Sequence, residues 1–209
     1  DIFRMALIIS DPKKIHQEIF NSSLEPDKAR ELAQKECDLE LQVTILSDEC
    51  AKEFIPHKYD LQLFAPVRLT FSEIAAEHLS NHQGTELHLI NVHELNTSKA
   101  NLLSNYNNSL TISVWHKSGE PNVIPDEIIE ELSKHKGDEL SLFTDTLSDA
   151  ACASLSNHSG KLRINGLNHP MGMDEVDPIS SEGKKLLKKH SGPVYCPKGL
   201  ARYFFIKKK

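Results

Sequence analysis

A chain of 209 residues that is 39% hydrophobic, with 9 Gly and 10 Pro, is long enough to bury a full core and too apolar to be disordered. Its longest apolar stretches, residues 6–9 and 203–206, fall far short of the roughly 20 residues a membrane helix requires, so a spanning helix is excluded. The net charge of −6 is unevenly placed: from Ser181 onward eight lysines and Arg202 stand against Glu182 alone, about +8 against about −14 for the remainder, so the body repels nucleic acid and only the C-terminal end attracts it.

In chain order, residues 1–9 lack the basic start, long apolar core and small-residue cleavage site of a secretory signal, and the chain reads as a fragment or trimmed piece of a cytoplasmic protein. Residues 4–10, followed by a helix around 15–20, are expected to form a cap over 1–23. A repeat follows, with heads at Leu24, Leu46, Leu69, Leu95, Ile124, Leu147 and Ile179. LSDAACASLSNHSGKLRINGL (147–167) aligns with IPDEIIEELSKHKGDELSLF (124–143) through an aliphatic head, an Asp two residues on, a Leu-Ser pair, His-x-Gly and an L-x-[LI] strand. Residues 46–64 and 69–90 fit the same template, 95–114 fit it loosely, and 24–43 and 179–196 begin and end the array. The shorter spacings are about 22 to 23 residues, inside the leucine-rich-repeat range.

Each unit opens with helix-start chemistry: Ser47 and Ser148 as caps, Pro26 and Pro125 at a first helical position, and Thr70 with Glu73 at capping-box spacing. The inward stripes of the helices are Ala75 with Leu79, Ile128 with Leu132, and Ala151 with Leu155. The glycines of His82-x-Gly84, His135-x-Gly137, His158-x-Gly160 and His190-x-Gly192 are expected to end helices in the left-handed conformation, the histidines bonding free carbonyls of the last turn or favouring the negative end of the helix dipole. Strands follow, with Leu39/Leu41/Val43, Leu61/Leu63, Leu87/Leu89, Leu110/Ile112/Val114, Leu140/Leu142 and Leu162/Ile164 inward at period two. One unit cannot bury its own apolar face, so the copies must stack. The expected fold is an α/β solenoid over 24–197, with a parallel sheet on one side and short helices on the other, then a basic strand or tail over 198–209.

The pattern, clearest in residues 147–167, resembles the bacterial, planctomycete-type leucine-rich-repeat arrays whose units read approximately L-S-D-x-A-A-x-x-L-x-x-H-x-G-x-L-x-L-x-G-L. The resemblance covers residues 24–197. It departs at Asn107-Asn108 and Lys58-Tyr59, and only the unit at Leu147 keeps the post-strand Gly166-Leu167. It implies a scaffold or recognition module and carries no catalytic residues.

Repetition argues against metal chemistry, because His82, His135, His158 and His190, with His57 close to their register, form a ladder that does not converge on one ion. His88, His93, His116 and His169 lie outside that ladder with no HExxH partner arrangement. No metal and no cofactor are expected. Cys37, Cys50, Cys152 and Cys196 are widely spaced without a CxxC pair and read as reduced thiols. No GxSxG, P-loop or GxGxxG is present, and no enzyme is expected.

Two candidate partner-binding regions remain. Alternation places Glu40, Gln62, His88, Thr111, Ser141 and Arg163 outward in one row, and Gln42, Phe64, Ile90, Ser113, Phe143 and Asn165 in a second. Phe64, Ile90 and Phe143 either mark a partner surface or turn inward as core. The insertions 115–123, with Trp115, and 168–178, with His169, Met171, Met173, Asp174 and Glu175, both leave a strand before a helix and emerge along one edge, as binding loops or as neutral drift. The leading function is a protein-interaction module, the sensor, adaptor or substrate-presenting part of a larger bacterial protein. The alternative is an accessory or substrate component of an enzyme or protease system with catalysis elsewhere. Nucleic-acid contact through the C-terminal lysines is third, and no membrane partner is expected.

Overall fold

The structure is a computed structural model that describes residues 15–20, 23–117, 121–166 and 178–196. Among the described residues nine strands form one parallel sheet: β1 (Ile15–Ile19), β2 (Asp38–Gln42), β3 (Ile45–Leu46), β4 (Leu61–Phe71), β5 (Glu86–Val92), β6 (Ser109–Val114), β7 (Glu139–Phe143), β8 (Lys161–Asn165) and β9 (Val194–Tyr195). Their spatial order follows the chain, except that β3 pairs beside the far end of β4. Among the described residues seven short helices alternate with them: α1 (Pro26–Ala33), α2 (Asp48–Glu53), α3 (Glu73–Ser80), α4 (Thr97–Ser104), α5 (Asp126–Leu132), α6 (Asp149–Ser156) and α7 (Ser181–Leu187). Each helix packs on the next, so a row of helices covers one face of the sheet. The result is a parallel α/β structure built from repeated units.

The core lies between the two layers. Leu39, Leu61, Leu87, Leu110, Leu140 and Leu162 stand in one register row, and Leu41, Leu63, Leu89, Ile112, Leu142 and Ile164 in the next, all buried. The expected helix stripes, Ala75 with Leu79, Ile128 with Leu132 and Ala151 with Leu155, are buried against them. All-parallel sheets are ordinarily covered on both faces and read as continuous apolar runs. Here the strands alternate, and the second face carries mostly polar side chains.

Hydrogen bonds between units fix the stacking. Ser47, Ser72, Asn96, Ser148 and Ser180 each cap their own helix by accepting an N–H three residues on. Four of these caps also donate to an acidic residue in the first turn of the preceding helix: Ser72 to Asp48, Asn96 to Glu73, Ser148 to Asp126 and Ser180 to Asp149. Ser148→Ala removes both a bond from Ala151 N at 2.9 Å and one to Asp126 at 2.7 Å. It should lower stability by about 1–2 kcal/mol, whereas Ser148→Asn, the choice made naturally at Asn96, should retain most of it in urea unfolding.

The helix ends carry a second column. His57 and His82 stack with ring centroids 5.8 Å apart, and Tyr106 continues at 6.2 Å from His82. His135, His158 and His190 continue in 5.8 Å steps. Two of the histidines reach carbonyls at the helix end of the preceding unit: His57 Nδ1 lies 3.1 Å from Ala33 O and His82 Nδ1 lies 2.9 Å from Phe54 O, whereas His190 Nδ1 meets Gly192 O of its own unit and His135 and His158 make no well-formed hydrogen bond to a described residue. Tyr106 Oη donates to Gly84 O at 2.7 Å.

Several expectations are corrected. Gly84, Gly137, Gly160 and Gly192 do not adopt positive φ, which among the described glycines belongs to Gly166 alone. They are glycine because the preceding unit's backbone sits against them: a Cβ would lie 2.0 Å from Tyr59 O at Gly84 and 2.1 Å from Asn108 O at Gly137. The third head is Phe71, paired with Leu46, and Ser72 caps its helix in place of the Thr70–Glu73 box. Pro125 is the N-cap of α5, one residue before the helix. Residues 15–19 form an edge strand instead of a helix, because the alternation of IHQEI pairs with β2 and turns His16 and Glu18 to the core side, where Lys28 meets Glu18 at 3.2 Å. The expected strands at 4–10 and 201–206 lie outside the described residues.

Candidate interaction surface

The open face of the sheet is positioned by the same leucines that fill the core, since each inward leucine fixes an outward neighbour. Strand register aligns Gln17, Glu40, Gln62, His88, Thr111, Ser141, Arg163 and Tyr195 across the sheet, so the anticipated first row exists. Glu40 accepts from the side-chain amides of Gln17 and Gln62. His88 lies 2.8 Å from Glu86.

At the other end of the row, Glu139 meets Lys161 at 2.5 Å and Arg163 at 2.7 Å, and both cations lie over the Tyr195 ring. Burial raises the Glu139 carboxyl, but Arg163 and then Lys161 outweigh it, leaving its pKa below the ordinary value. Arg163 is thus held in an ion-pair network that presents a cationic, aromatic corner.

The second row aligns Ile19, Gln42, Phe64 and Ile90 on one side and Ser113, Phe143 and Asn165 on the other. Phe64, Ile90 and Phe143 are half-buried on the open face, and none belongs to the buried core or to the apolar residues packed against it. The reading in which they turn inward is corrected. Leu63, Leu89 and Leu142 already occupy the inward positions beside them.

The two register irregularities of this sheet fall after Phe64 in β4 and after Leu89 in β5. Around them the sequence Ala65-Pro66-Val67-Arg68 lengthens β4, and Pro66, Val67 and Arg68 are exposed. Asn91 and Glu94 hold positive φ of 61° and 55°, uncommon for residues other than glycine. Asn91 is fastened by its amide to Ala65 O at 2.8 Å, and His93 N donates to Leu69 O at 2.8 Å. Trp115 leaves β6 at the same edge, half-buried, with its N–H on Val92 O at 2.8 Å. Its ring receives the Arg68 guanidinium at 4.5 Å and the edge of His93 at 5.4 Å.

No protein-family model, curated protein or solved structure matches the chain. His169, Met171, Met173, Asp174 and Glu175 lie outside the described residues, so only Trp115 of the edge candidates is placed. Sequence reading missed Arg68 and Tyr195. The signal available for Arg68 was the extra length between Leu63 and the cap at Ser72, which the misplaced head at Leu69 concealed.

Among the described residues, no group of three His, Cys, Asp or Glu side chains is placed to hold a metal ion. All four cysteines are free thiols. Burial pushes Cys152 and Cys196 up to about 12, which keeps both protonated and poorly nucleophilic at neutral pH. Among the described residues no helix is long and apolar enough to cross a membrane.

Proposed function

We propose that this chain is a leucine-rich-repeat-like solenoid serving as a protein-interaction module, with the open face of the sheet as its docking surface. The observation that carries the reading is the placement of Phe64, Ile90 and Phe143 on that face, outside the core. Side chains of this size, set among polar neighbours on a rigid sheet, can supply apolar anchors with little ordering cost on binding. Arg163 and His88 in the adjoining row add polar specificity. The role is non-catalytic, and the partner is another protein.

The experiment compares wild type with Phe64→Asp, Ile90→Asp and Phe143→Asp combined, each used as bait in cross-linking from the source cell. Binding at the proposed face should weaken at least about a hundredfold, since two anchors of about 2 kcal/mol each suffice. Circular dichroism should show the variant still folded, because the replaced side chains lie outside the core. Glu130→Lys on the exposed face of α5 should leave capture unchanged. Undiminished capture by the folded triple variant overturns the sheet-face reading, and loss only on deletion of 168–178 moves the site to that insertion.

A further inference from the structure

At the exit of β4, β5 and β6 the repeat is broken three times within one neighbourhood, by the lengthened β4, by the left-handed Asn91 and Glu94, and by the departing chain at Trp115. Left-handed backbone is uncommon at residues other than glycine, asparagine adopting it more readily than glutamate, and such positions cluster at functional sites. Here those irregularities bring together side chains from separate units. We propose that Arg68, backed by Trp115 and flanked by His93, binds a carboxylate from an acidic segment of a partner protein.

The geometry favours that ligand. With its centre 4.5 Å from the ring centroid, the guanidinium lies over the indole, and a guanidinium's planar N–H fork matches a bidentate carboxylate. Among the described residues no carboxylate pairs with Arg68, and the side chain is exposed. The carboxylate closest in sequence to His93 is Glu94, at 3.7 Å and 74% exposed, a contact too long for a hydrogen bond. Toward the strand starts Phe64 and Ile90 follow on the same two strands, so the fitting segment carries an acidic residue next to apolar ones. A polyanion such as nucleic acid fits poorly, because Asp60 and Glu86 stand at the starts of β4 and β5, Asp38 and Glu40 lie on the neighbouring β2, and the chain before Ser181 carries about −14. The inference rests on the protein-interaction reading and names the chemistry of its partner.

Trp115 is the sole tryptophan, so its emission reports on this site alone. The full chain is titrated with a short acetylated, amidated peptide that sets one glutamate beside leucines, with its glutamine-for-glutamate counterpart, and with inorganic phosphate. Saturable change with the acidic peptide only is expected. Arg68→Ala should weaken it about ten- to a hundredfold, and Arg68→Lys should fall between, since an ammonium keeps the charge and loses the fork. Equal response to the glutamine peptide, a stronger response to phosphate, an unchanged Arg68→Ala titration or a flat wild-type titration each overturns the proposal. A flat titration alongside partner capture that still depends on Phe64 removes this site alone. An intact titration alongside capture indifferent to Phe64, Ile90 and Phe143 removes the sheet-face reading alone.

Discussion

Acidification from pH 6.5 towards 4 is expected to destabilise this protein, through His57, His82, His135 and His158 ahead of its carboxylates. His135 is 1% exposed, and burial, reinforced by the neighbouring charge of His158, lowers its pKa from 6.5 to about 4. The carbonyls of Asn108 and Tyr106 and the charge of Asp138 act in the opposite sense without reversing the shift. Neither ring nitrogen makes a well-formed hydrogen bond to a described residue, so those carbonyls offset burial only in part. An unfolded histidine takes up its proton first. The stability contributed by neutral His135 is therefore whole above about pH 6.5 and is lost as the pH falls to about 4, an effect of about 3 kcal/mol.

Burial lowers His57, His82 and His158 as well, so all three add to the loss in the same direction. Urea-unfolding midpoints measured across this window should fall steadily with pH. His135→Tyr, which installs the residue that Tyr106 presents in the same column, should flatten the dependence. Midpoints that do not move across the window would show that these four histidines are not held neutral by burial.

Gly84→Ala should be the most damaging small substitution at the unit boundaries. The new Cβ would lie 2.0 Å from Tyr59 O and 2.3 Å from His82 Nε2. Relief requires moving backbone, and Gly84 O is itself the acceptor for Tyr106 Oη at 2.7 Å and Asn108 Nδ2 at 2.8 Å, so three consecutive units are disturbed. A loss of about 3 kcal/mol follows from overpacking of this severity, lowering the melting temperature by about 10 °C in a chain of this size. Gly166→Ala is the control. There φ is +84° and the nearest atom is 3.4 Å away, so the cost is conformational only, about 1 kcal/mol. Equal melting temperatures for the two variants would sink the close-packing account of the His-x-Gly glycines.

The grammar of one unit was legible because it is local. Period-two leucines, a serine or asparagine before five of the seven described helices and the inward helix stripes are written within some twenty residues of one another, at the length expected of one repeat. Since parallel neighbours share that grammar, the register of the open face followed from it, and Glu40, Gln62, His88, Thr111, Ser141 and Arg163 stand in the row read from alternation. The third head was misread for an equally local reason. Leu69 and Phe71 are both apolar and both precede a hydroxyl residue, and only pairing with Leu46 separates them. IHQEIF likewise carries helical and strand spacings together, and the free edge of β2 decided for the strand.

By itself, then, the sequence determined the repeating unit, its inward leucines and the outward row of the sheet, because each depends on periodicity within one copy. Tertiary structure alone decided what happens between copies. It showed that the glycines yield to a neighbouring carbonyl, that Tyr106 fills a histidine's place, that Phe64, Ile90 and Phe143 stay out of the core, and that Arg68 meets Trp115. These are contacts between residues distant in the chain, brought within a few ångströms by stacking, and no pattern inside a single unit encodes them.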